Sequence, residues 1–287
     1  MLSIVDKLSK TDKDSSTILA RIEDDGMLDK KFLVLNHNPK SCDPIYKECH
    51  ELAKIFKEEG CPQDNVSSID NGVGKSIKLC DESKFVILPS GNPEFPDRIF
   101  VIAKSGEGKS TLIGEYLHRY KKMFPNNTIY LISRKQGDKA FKDLEYITIN
   151  VNDPKYDDEW LNMDDFPNNS AVVFDDTATY TKETLRKVNH LRDDLLQVGR
   201  SRNITVIATS HVYKDYENTK ILWLESTHIA LALRSQKKHA KDALVQKLGF
   251  SSDAADAIFK LKGRFVWLSP SAPTWVTSEH EAHIFED

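Results

Sequence analysis

The sequence predicts an α/β fold, in which a mostly parallel β-sheet is covered by helices. From residue 84 onward, short β-branched or aromatic runs alternate with segments of helical periodicity, the order expected of such a sheet. One of these runs leads directly into a glycine-rich loop. Of the 287 residues, 39% are hydrophobic, which allows a substantial core and excludes the disordered and low-complexity classes.

The elements of this sheet follow from local composition and from the period of the apolar residues. The predicted strands are residues 85–88, 99–103, 128–133, 146–151, 171–174, 204–209 and 228–233. The predicted helices are residues 110–124, 182–198 and 237–248. Residues 264–268 and 274–277 predict a C-terminal hairpin or edge strands, because the prolines are confined to the connection between them.

The first 83 residues predict a small accessory region or a mobile arm. They contain an apolar run at 31–36, a predicted amphipathic helix at 44–59 and a turn-rich stretch at 61–72. The 4 cysteines form no Cys-x-x-Cys pair, so we expect reduced thiols rather than a zinc site or a disulfide framework. We place the domain boundary between residues 83 and 84, and the core with its C-terminal extension covers 84–287.

The charge balance limits the partners that the whole molecule can attract. There are 40 Lys and Arg residues against 44 Asp and Glu residues, a formal net charge of -4, so nucleic acid would have to be bound by local basic patches. The longest apolar runs are much shorter than the ~20 residues of a membrane span, and the first residues lack the apolar core of a signal peptide. We expect an intracellular protein that does not engage a membrane.

The strongest functional signal is a predicted strand that leads into Ala103-x-x-x-x-Gly108-Lys109-Ser110 and then into a helix, the context that a phosphate-binding loop requires. Glycines at 106 and 108 let backbone N–H groups curl around phosphates. Lys109 reaches the β- and γ-oxygens, and the Ser110 hydroxyl ligates Mg²⁺. The residues expected to bind the nucleotide are Ala103, Lys104, Ser105, Gly106, Glu107, Gly108, Lys109, Ser110 and Thr111.

A second Gly-Lys-Ser, at residues 74–76, is interpreted as a turn. Ile69 stands where a phosphate-binding loop needs a small residue, and the residues before it are polar. No buried strand therefore leads into this segment.

Two adjacent acids follow the predicted strand 171–174. Carboxyl ends of parallel strands share one edge of a sheet, so Asp175 and Asp176 should lie near the phosphate-binding loop. Adjacent strand residues point to opposite faces. We expect Asp175 to hold Mg²⁺ through water, and Asp176 to orient or deprotonate the attacking water. The strands between loop and acids are typical of motor-type NTPases with their own catalytic acid, and they argue against small GTPases and most nucleotide kinases.

A third segment runs from the end of one helix to the end of a strand. The helix ends near Gly199, Arg200 and Arg202 follow, and the strand ends at Ser210 and His211, which can touch the γ-phosphate or the water. An arginine at a subunit edge can serve the ATP of the next subunit. The alternative is that both arginines cap the helix C-terminus, where its dipole favours cations.

Together these motifs make the chain resemble the FtsK/HerA superfamily of ring-forming DNA-pumping ATPases, and within it the poxvirus-type genome-packaging ATPases of large DNA viruses and virophages. The resemblance rests on residues 103–111, on the two acids, and on residues 199–211. It covers residues 84–235, about half of the chain. His211 stands where relatives often carry Gln, and residues 1–83 resemble nothing that we can name.

The resemblance implies a RecA-like P-loop NTPase core of the additional-strand, catalytic-acid class. It implies ATP and Mg²⁺ as cofactors, with Walker A residues 103–111, a Walker B pair of which Asp175 binds the metal, and Lys109, Asp176 and Arg200 as the catalytic residues. Arg200 would act in trans within a ring of five or six subunits. The implied partners are double-stranded DNA and proteins of the capsid or its vertex, in the host cytoplasm or on the virion.

Local basic patches are the candidate DNA contacts. The best of them lies at residues 234–247, and the others lie at 186–192 and 119–122; the alternative for each is a solvated helix face. The first contains Arg234, Lys237, Lys238, Lys241 and Lys247. Aromatic residues do not alternate with these charges, which favours double-stranded over single-stranded DNA.

The sequence as a whole predicts an ATP-driven translocase that packages double-stranded viral DNA into capsids. Three alternatives stay open at this point. One is a ring ATPase of the same fold that acts on proteins or in DNA segregation. Another is a regulatory module that binds ATP with negligible hydrolysis, and the last is a small-molecule kinase.

Overall fold

The computed structural model describes residues 2–5, 16–24, 27–36, 76–79, 83–90, 96–135, 137–213, 215–234, 236–270 and 274–285. The strands in these ranges are β1 (Leu2–Val5), β2 (Ser16–Asp24), β3 (Met27–Asn36), β4 (Ser76–Lys78), β5 (Ser83–Val86), β6 (Arg98–Ile102), β7 (Ile129–Ser133), β8 (Ile147–Ile149), β9 (Ala171–Asp175), β10 (Thr205–Ser210), β11 (His228–Ala232), β12 (Phe265–Ser269), β13 (Thr274–Thr277) and β14 (Glu281–Phe285). The α-helices are α1 (Lys109–Met123), α2 (Lys155–Asp158), α3 (Lys182–Val198), α4 (Tyr216–Glu225), α5 (Lys237–Leu248) and α6 (Ser252–Ile258).

The chain divides into two compact units, one of residues 89–252 and one of residues 1–88 with 253–287. The unit of residues 89–252 contains a parallel sheet in the order β11, β6, β10, β9, β7, β8. Except for β8, which among the described strands pairs only with β7, its strands are mostly buried apolar runs, as expected where both faces of a sheet are covered. The predicted α/β fold class, with a mostly parallel sheet flanked by helices, is therefore confirmed.

The order of the strands places β10 between β6 and β9. One strand therefore separates the strand that precedes the glycine-rich loop from the strand that ends in the two acids. The strands that lie between these motifs along the chain, β7 and β8, lie beyond β9 instead. The additional strand of this class of NTPases is therefore β10, which lies between β6 and β9 in the sheet. It is neither β7 nor β8, which lie between the two motifs only in the sequence.

Helices cover the sheet through their apolar sides. In α3 the buried residues include Val188, Leu191 and Leu195, which recur at the helical spacing of three and four. In α4 the Trp223 ring meets the Phe100 ring of β6 edge to face, with centroids 5.2 Å apart. The helix α3 packs against β10 and against α4, and α4 packs against β6. These helices therefore cover the strands that carry the site.

The predicted helices correspond to α1, α3 and α5. The sequence did not predict α4, because its apolar residues 221–224 are consecutive rather than spaced by three or four. Such a run does not distinguish a helix from a strand.

The unit of residues 1–88 and 253–287 is antiparallel. β1, β3, β2 and β5 form one sheet, and β12, β13, β14 and β4 pair in succession. The predicted C-terminal hairpin is β12 and β13, where Trp267 pairs with Thr277. The boundary predicted at residue 84 stays a prediction.

Several predictions for the N-terminal region fall outside the described residues. These are the helix at 44–59, the four cysteines, and Gly74 with Lys75. Among the helices that the structure describes, none has the length and apolar character needed to cross a membrane.

Candidate nucleotide site

The site lies at the carboxyl edge of the parallel sheet. Ile102, the last residue of β6, pairs with Ser210, the last residue of β10. Ala208 of the same strand pairs with Phe174 of β9, which ends one residue later at Asp175. The glycine-rich loop, the two acids and His211 therefore leave the sheet side by side.

Hydrogen bonds to β10 and within the loop hold residues 103–108 in place. The amide of Ala103 donates to the carbonyl of Ser210 at 3.1 Å, and the amide of Lys104 donates to the Glu107 carboxylate at 2.8 Å. Gly106 and Gly108 have φ angles of 82° and 95°, a left-handed conformation that glycine adopts without strain. The helix α1 begins directly after the loop, so the positive end of its dipole lies at the loop. No side chain caps its first N–H groups and no acid lies in its first turn, so these N–H groups are available to an anion.

The predicted binding residues differ in their exposure. Ala103 and Lys109 are buried, whereas the rest of the loop reaches the surface. The exposed residues are Lys104, Ser105, Gly106 and Thr111, and the half-buried ones are Glu107, Gly108 and Ser110.

Lys109 donates to three acceptors within the protein. Its Nζ lies 2.7 Å from the Ala103 carbonyl, 3.3 Å from the Lys104 carbonyl and 2.9 Å from His211 Nδ1. Burial lowers the pKa of Lys109, and the nearby carboxylates of Asp175, Asp176 and Glu107 oppose this shift. The ammonium is thus held at the mouth of the loop, between the main chain and His211.

His211 links Lys109 to the second acid. Its Nε2 lies 2.8 Å from Asp176 Oδ1. A lysine ammonium only donates, so Nδ1 must accept, and Nε2 must carry the proton that it donates to Asp176. The side chains therefore form a continuous chain from Lys109 through His211 to Asp176.

Thr209 separates the environments of the two acids. Its hydroxyl donates to Asp175 Oδ1 at 3.0 Å and accepts from the Asp176 amide at 3.1 Å. Asp175 is only 4% exposed; burial raises its pKa, and the bond from Thr209 lowers it in part. The Asp176 side chain is 32% exposed, so it can reach solvent or substrate.

Asp138 is a third carboxylate at this edge, and the motifs did not predict it. It accepts from the Ala140 amide at 3.0 Å and from Lys135 Nζ at 2.8 Å. Burial alone would raise its pKa, but the bonds from Lys135, the Ala140 amide and the Ser110 hydroxyl hold it below its ordinary value. The only signal in the sequence was an acid five residues after a predicted strand.

A glycine in α1 brings Asp138 to Ser110. The short 3₁₀ segment Lys139–Phe141, which Asp138 caps, packs against α1 at Gly114. A Cβ at Gly114 would overlap the Ala140 carbonyl. The missing side chain thus allows the approach that places a carboxylate beside the first turn of the helix.

The residues at this edge suit Mg²⁺. The predicted ligand Ser110 offers a hydroxyl oxygen, and Asp175 and Asp138 offer carboxylate oxygens, the donors that Mg²⁺ prefers. The buried Asp175, whose pKa is raised, would be stabilised by a cation. Within the described residues, no group of three or more His, Cys, Asp or Glu side chains is placed to hold a metal ion, whereas Mg²⁺ commonly takes one or two carboxylates together with substrate phosphates.

Arg200 and Arg202 lie at the opposite edge of the sheet. They belong to the 3₁₀ segment Gly199–Arg202, which precedes β10, whereas the site follows it. From Thr205 to Ser210, β10 extends about 17 Å. This separation is too long for either guanidinium to reach a nucleotide bound at the carboxyl edge of its own subunit. Arg200 is exposed there, and its predicted action in trans stays a prediction.

Arg202 has a structural role. Its guanidinium donates to the main-chain carbonyls of Met163 and Phe166, each at 2.9 Å. It also bonds the side chains of Asn168 and Asp164 at 2.9 and 2.8 Å. Such a set of bonds fixes the loop before β9 and leaves few donors for a phosphate.

The basic patch at residues 234–247 begins beside the site. Gln236 precedes α5, and its Nε2 donates to the His211 carbonyl at 3.3 Å. Arg234, Lys237 and Lys238 are exposed there. In the patch at 186–192, by contrast, Arg192 is buried and bonded to Asp193 and Asn218.

The fold and the loop between β6 and α1 are those of a P-loop NTPase of the additional-strand class. Comparisons with known proteins give no matching family model. A curated relative is the uncharacterized protein V3 of Sputnik virophage, which is 29% identical over 214 residues, 73% of this chain and 84% of V3.

Several solved structures are also similar to this chain. One is the genome packaging NTPase B204 from Sulfolobus turreted icosahedral virus 2 in complex with AMP, with a TM-score of 0.41, 14% identity, and coverage of 62% of this chain and 94% of that one. Another is B204, the DNA-packaging ATPase from Sulfolobus turreted icosahedral virus, with a TM-score of 0.44, 16% identity and 65% and 98% coverage. The pCW3 conjugation coupling protein TcpA has a TM-score of 0.45, 14% identity and 98% and 81% coverage.

Proposed function

We propose that this protein is an ATPase that drives double-stranded DNA into a viral capsid. The observation that carries the hydrolytic part is the chain of bonds from Lys109 through His211 to Asp176. It joins the residue expected on the γ-phosphate to the acid expected on the attacking water. If Lys109 and Asp176 only stabilised the fold, they could pair directly, without His211 between them.

The proposed roles follow from this geometry. Lys109 and the backbone amides of the loop bind the β- and γ-phosphates. The Asp176 carboxylate orients the attacking water and accepts its proton, while His211 Nε2–H fixes the direction of that carboxylate. Ser110 and Asp175 would hold Mg²⁺, which neutralises charge on the phosphates when it is bound.

The DNA part of the proposal is supported by two features. The motifs at 103–111, 175–176 and 199–211 resemble those of genome-packaging ATPases. The basic patch at 234–247 also begins at the carboxyl edge of the sheet, where Gln236 bonds to His211. We further propose a ring of five or six copies in the host cytoplasm, with Arg200 directed to a neighbouring subunit and capsid or vertex proteins as partners.

The test is steady-state ATP hydrolysis with and without duplex and single-stranded DNA. Lys109→Ala and Asp176→Asn should abolish turnover, and His211→Leu should lower kcat by about 100-fold because the carboxylate loses its orientation. His190→Leu is the matched control for hydrolysis measured without DNA, since that histidine is 78% exposed on α3. Duplex DNA should raise the rate, and added salt should remove the increase.

The outcomes separate the parts of the proposal. Turnover that needs Lys109 and Asp176 but ignores all DNA would leave the ATPase in place and point to a protein as the moved substrate. Nucleotide binding without any turnover would instead indicate a regulatory module.

A further inference from the structure

Arg134 occupies a place beside Asp176 that no motif predicted. In the parallel pairing of β7 and β9, Ser133 lies opposite Asp175. The next residues, Arg134 and Asp176, therefore leave the sheet as neighbours at its carboxyl edge. Adjacent strands are about 4.8 Å apart, which is well within the reach of an arginine side chain.

The guanidinium of Arg134 is bonded to the turn that follows Asp176. Its Nη1 donates to the Thr179 carbonyl at 2.7 Å. Thr179 closes the 3₁₀ segment Thr177–Thr179, and its hydroxyl donates back to the Asp176 carbonyl at 3.0 Å. Arg134 thus holds one end of this turn, and Asp176 lies at the other.

The turn needs support, because Asp176 has a left-handed backbone with φ of 54°. Residues other than glycine adopt this conformation at a cost that surrounding bonds must offset. Thr209 binds the Asp176 amide on the sheet side, and His211 binds its carboxylate. Arg134 adds a third support, through its bond to the Thr179 carbonyl.

The charges of Arg134 and Asp176 both affect the Tyr180 hydroxyl, which follows the turn at 177–179. It is 7% exposed, and its hydroxyl has no hydrogen-bond partner among the described residues. Burial raises its pKa to about 12, Arg134 lowers it, and Asp176 raises it. Both charges therefore act on the Tyr180 hydroxyl.

We propose that Arg134 is a positioning residue for Asp176 within the same subunit. By fixing the turn at 177–179, it keeps the carboxylate aimed at the attacking water. This inference rests on the proposed hydrolytic function, in which Asp176 is the catalytic acid. It gives the site an arginine in cis, whereas Arg200 lies at the opposite edge.

The kinetic test compares Arg134→Ala, Arg134→Lys and Lys142→Ala, the last an exposed control outside the site. Arg134→Ala should lower kcat about 10- to 100-fold, with the KM for ATP and the Tm unchanged. Arg134→Lys should recover most of the rate, because an ammonium can still donate to the Thr179 carbonyl. An Arg134→Ala variant with wild-type kcat, or one in which only KM changes, would overturn the proposal.

A mixing experiment separates action in cis from action in trans. If Arg134 acts within its own subunit, mixtures of Arg134→Ala and Asp176→Asn proteins should show no more hydrolysis than the two proteins give separately. Restored hydrolysis in such mixtures would show that Arg134 serves a neighbouring subunit and would overturn the proposal. The same mixture made with Arg200→Ala is the comparison, since a residue that acts in trans should be rescued.

Amide hydrogen exchange provides a readout that does not depend on hydrolysis. Arg134→Ala should speed exchange at residues 177–180 relative to the Lys142→Ala protein, because a support of the turn is removed. Unchanged exchange there would overturn the proposal. If the wild-type protein hydrolyses no ATP, the proposed function fails, and the exchange measurement still decides whether Arg134 holds the turn.

Discussion

Asp175 combines burial with a charge. Only 4% of the residue is exposed, and burial raises its pKa above the ordinary value of 3.8 against the effect of the Thr209 hydroxyl. When a folded-state pKa is raised in this way, the fold binds the proton more tightly than the unfolded chain does. The stability that Asp175 contributes is therefore fully present below the ordinary value of 3.8, and it is lost as the pH rises through the raised pKa.

We expect Asp175→Asn to increase the free energy of unfolding at neutral pH by about 1 kcal/mol, while it abolishes Mg²⁺-dependent hydrolysis. The new side-chain amide at position 175 would still accept the hydrogen bond from the Thr209 hydroxyl. Because this amide carries no charge, its burial should cost less free energy than burial of the Asp175 carboxylate. The increase should shrink towards acid pH, where wild-type Asp175 is itself protonated. Thermal unfolding at about pH 8 and about pH 5 measures this difference.

The control for this substitution is Glu145→Gln, since that carboxylate is 91% exposed and should behave alike at both pH values. If Asp175→Asn is less stable than the wild type at the higher pH, the buried carboxylate stabilises the fold and the argument from burial is wrong.

At the scale of elements, Gly114 determines how closely the segment Lys139–Phe141 can approach α1. Gly114→Ala should destabilise the fold by about 1 to 3 kcal/mol, because the new methyl group overlaps the Ala140 carbonyl. The cost of the overlap with the Ala140 carbonyl should exceed the ~1 kcal/mol by which alanine is favoured over glycine inside a helix. It should also raise the KM for Mg²⁺-ATP, because Asp138 is moved away from Ser110.

Chemical denaturation and ATP titration measure the two effects. Lys122→Ala, an exposed change in the same helix, is the control and should alter neither. A Gly114→Ala protein as stable as the wild type would mean that the 3₁₀ segment shifts without cost.

The sequence predicted those elements whose residues carry a local signal. The glycine-rich loop, α1 and the acids at the end of β9 are each encoded by a short stretch, so the sequence predicts where they lie. Arg134 and Asp138 were not, because their positions depend on β7 lying beside β9 and on contact with Gly114. Pairings of this kind join residues that are distant in sequence, and no local pattern contains them.

At the scale of the whole molecule, the net charge of -4 means that the proposed DNA partner would have to be bound by a local patch. Replacing Arg234, Lys237 and Lys238 together by Ser should weaken duplex binding and reduce the salt dependence of the binding constant. The slope of log K against log salt changes by about 0.9 for each DNA phosphate that the protein no longer neutralises. Binding measured at several salt concentrations gives that slope.

Replacing Lys142, Lys182 and Lys220 together by Ser is the matched control, since these three lysines are exposed and lie outside the patch. Basal hydrolysis should be the same in this control as in the wild type. If the control lowers the slope as much as the triple replacement, binding is spread over the surface and the patch has no special role.

The bonds of Lys109 affect how easily nucleotide leaves. Its ammonium already has the Ala103 and Lys104 carbonyls and His211 as acceptors, so an arriving phosphate competes with them. The lysine therefore contributes to affinity only the difference between two sets of hydrogen bonds. When the phosphate departs, the same acceptors receive the ammonium again, which lowers the barrier to emptying the site. In the proposed motor, such an exchange would help each subunit to release its spent nucleotide in every cycle.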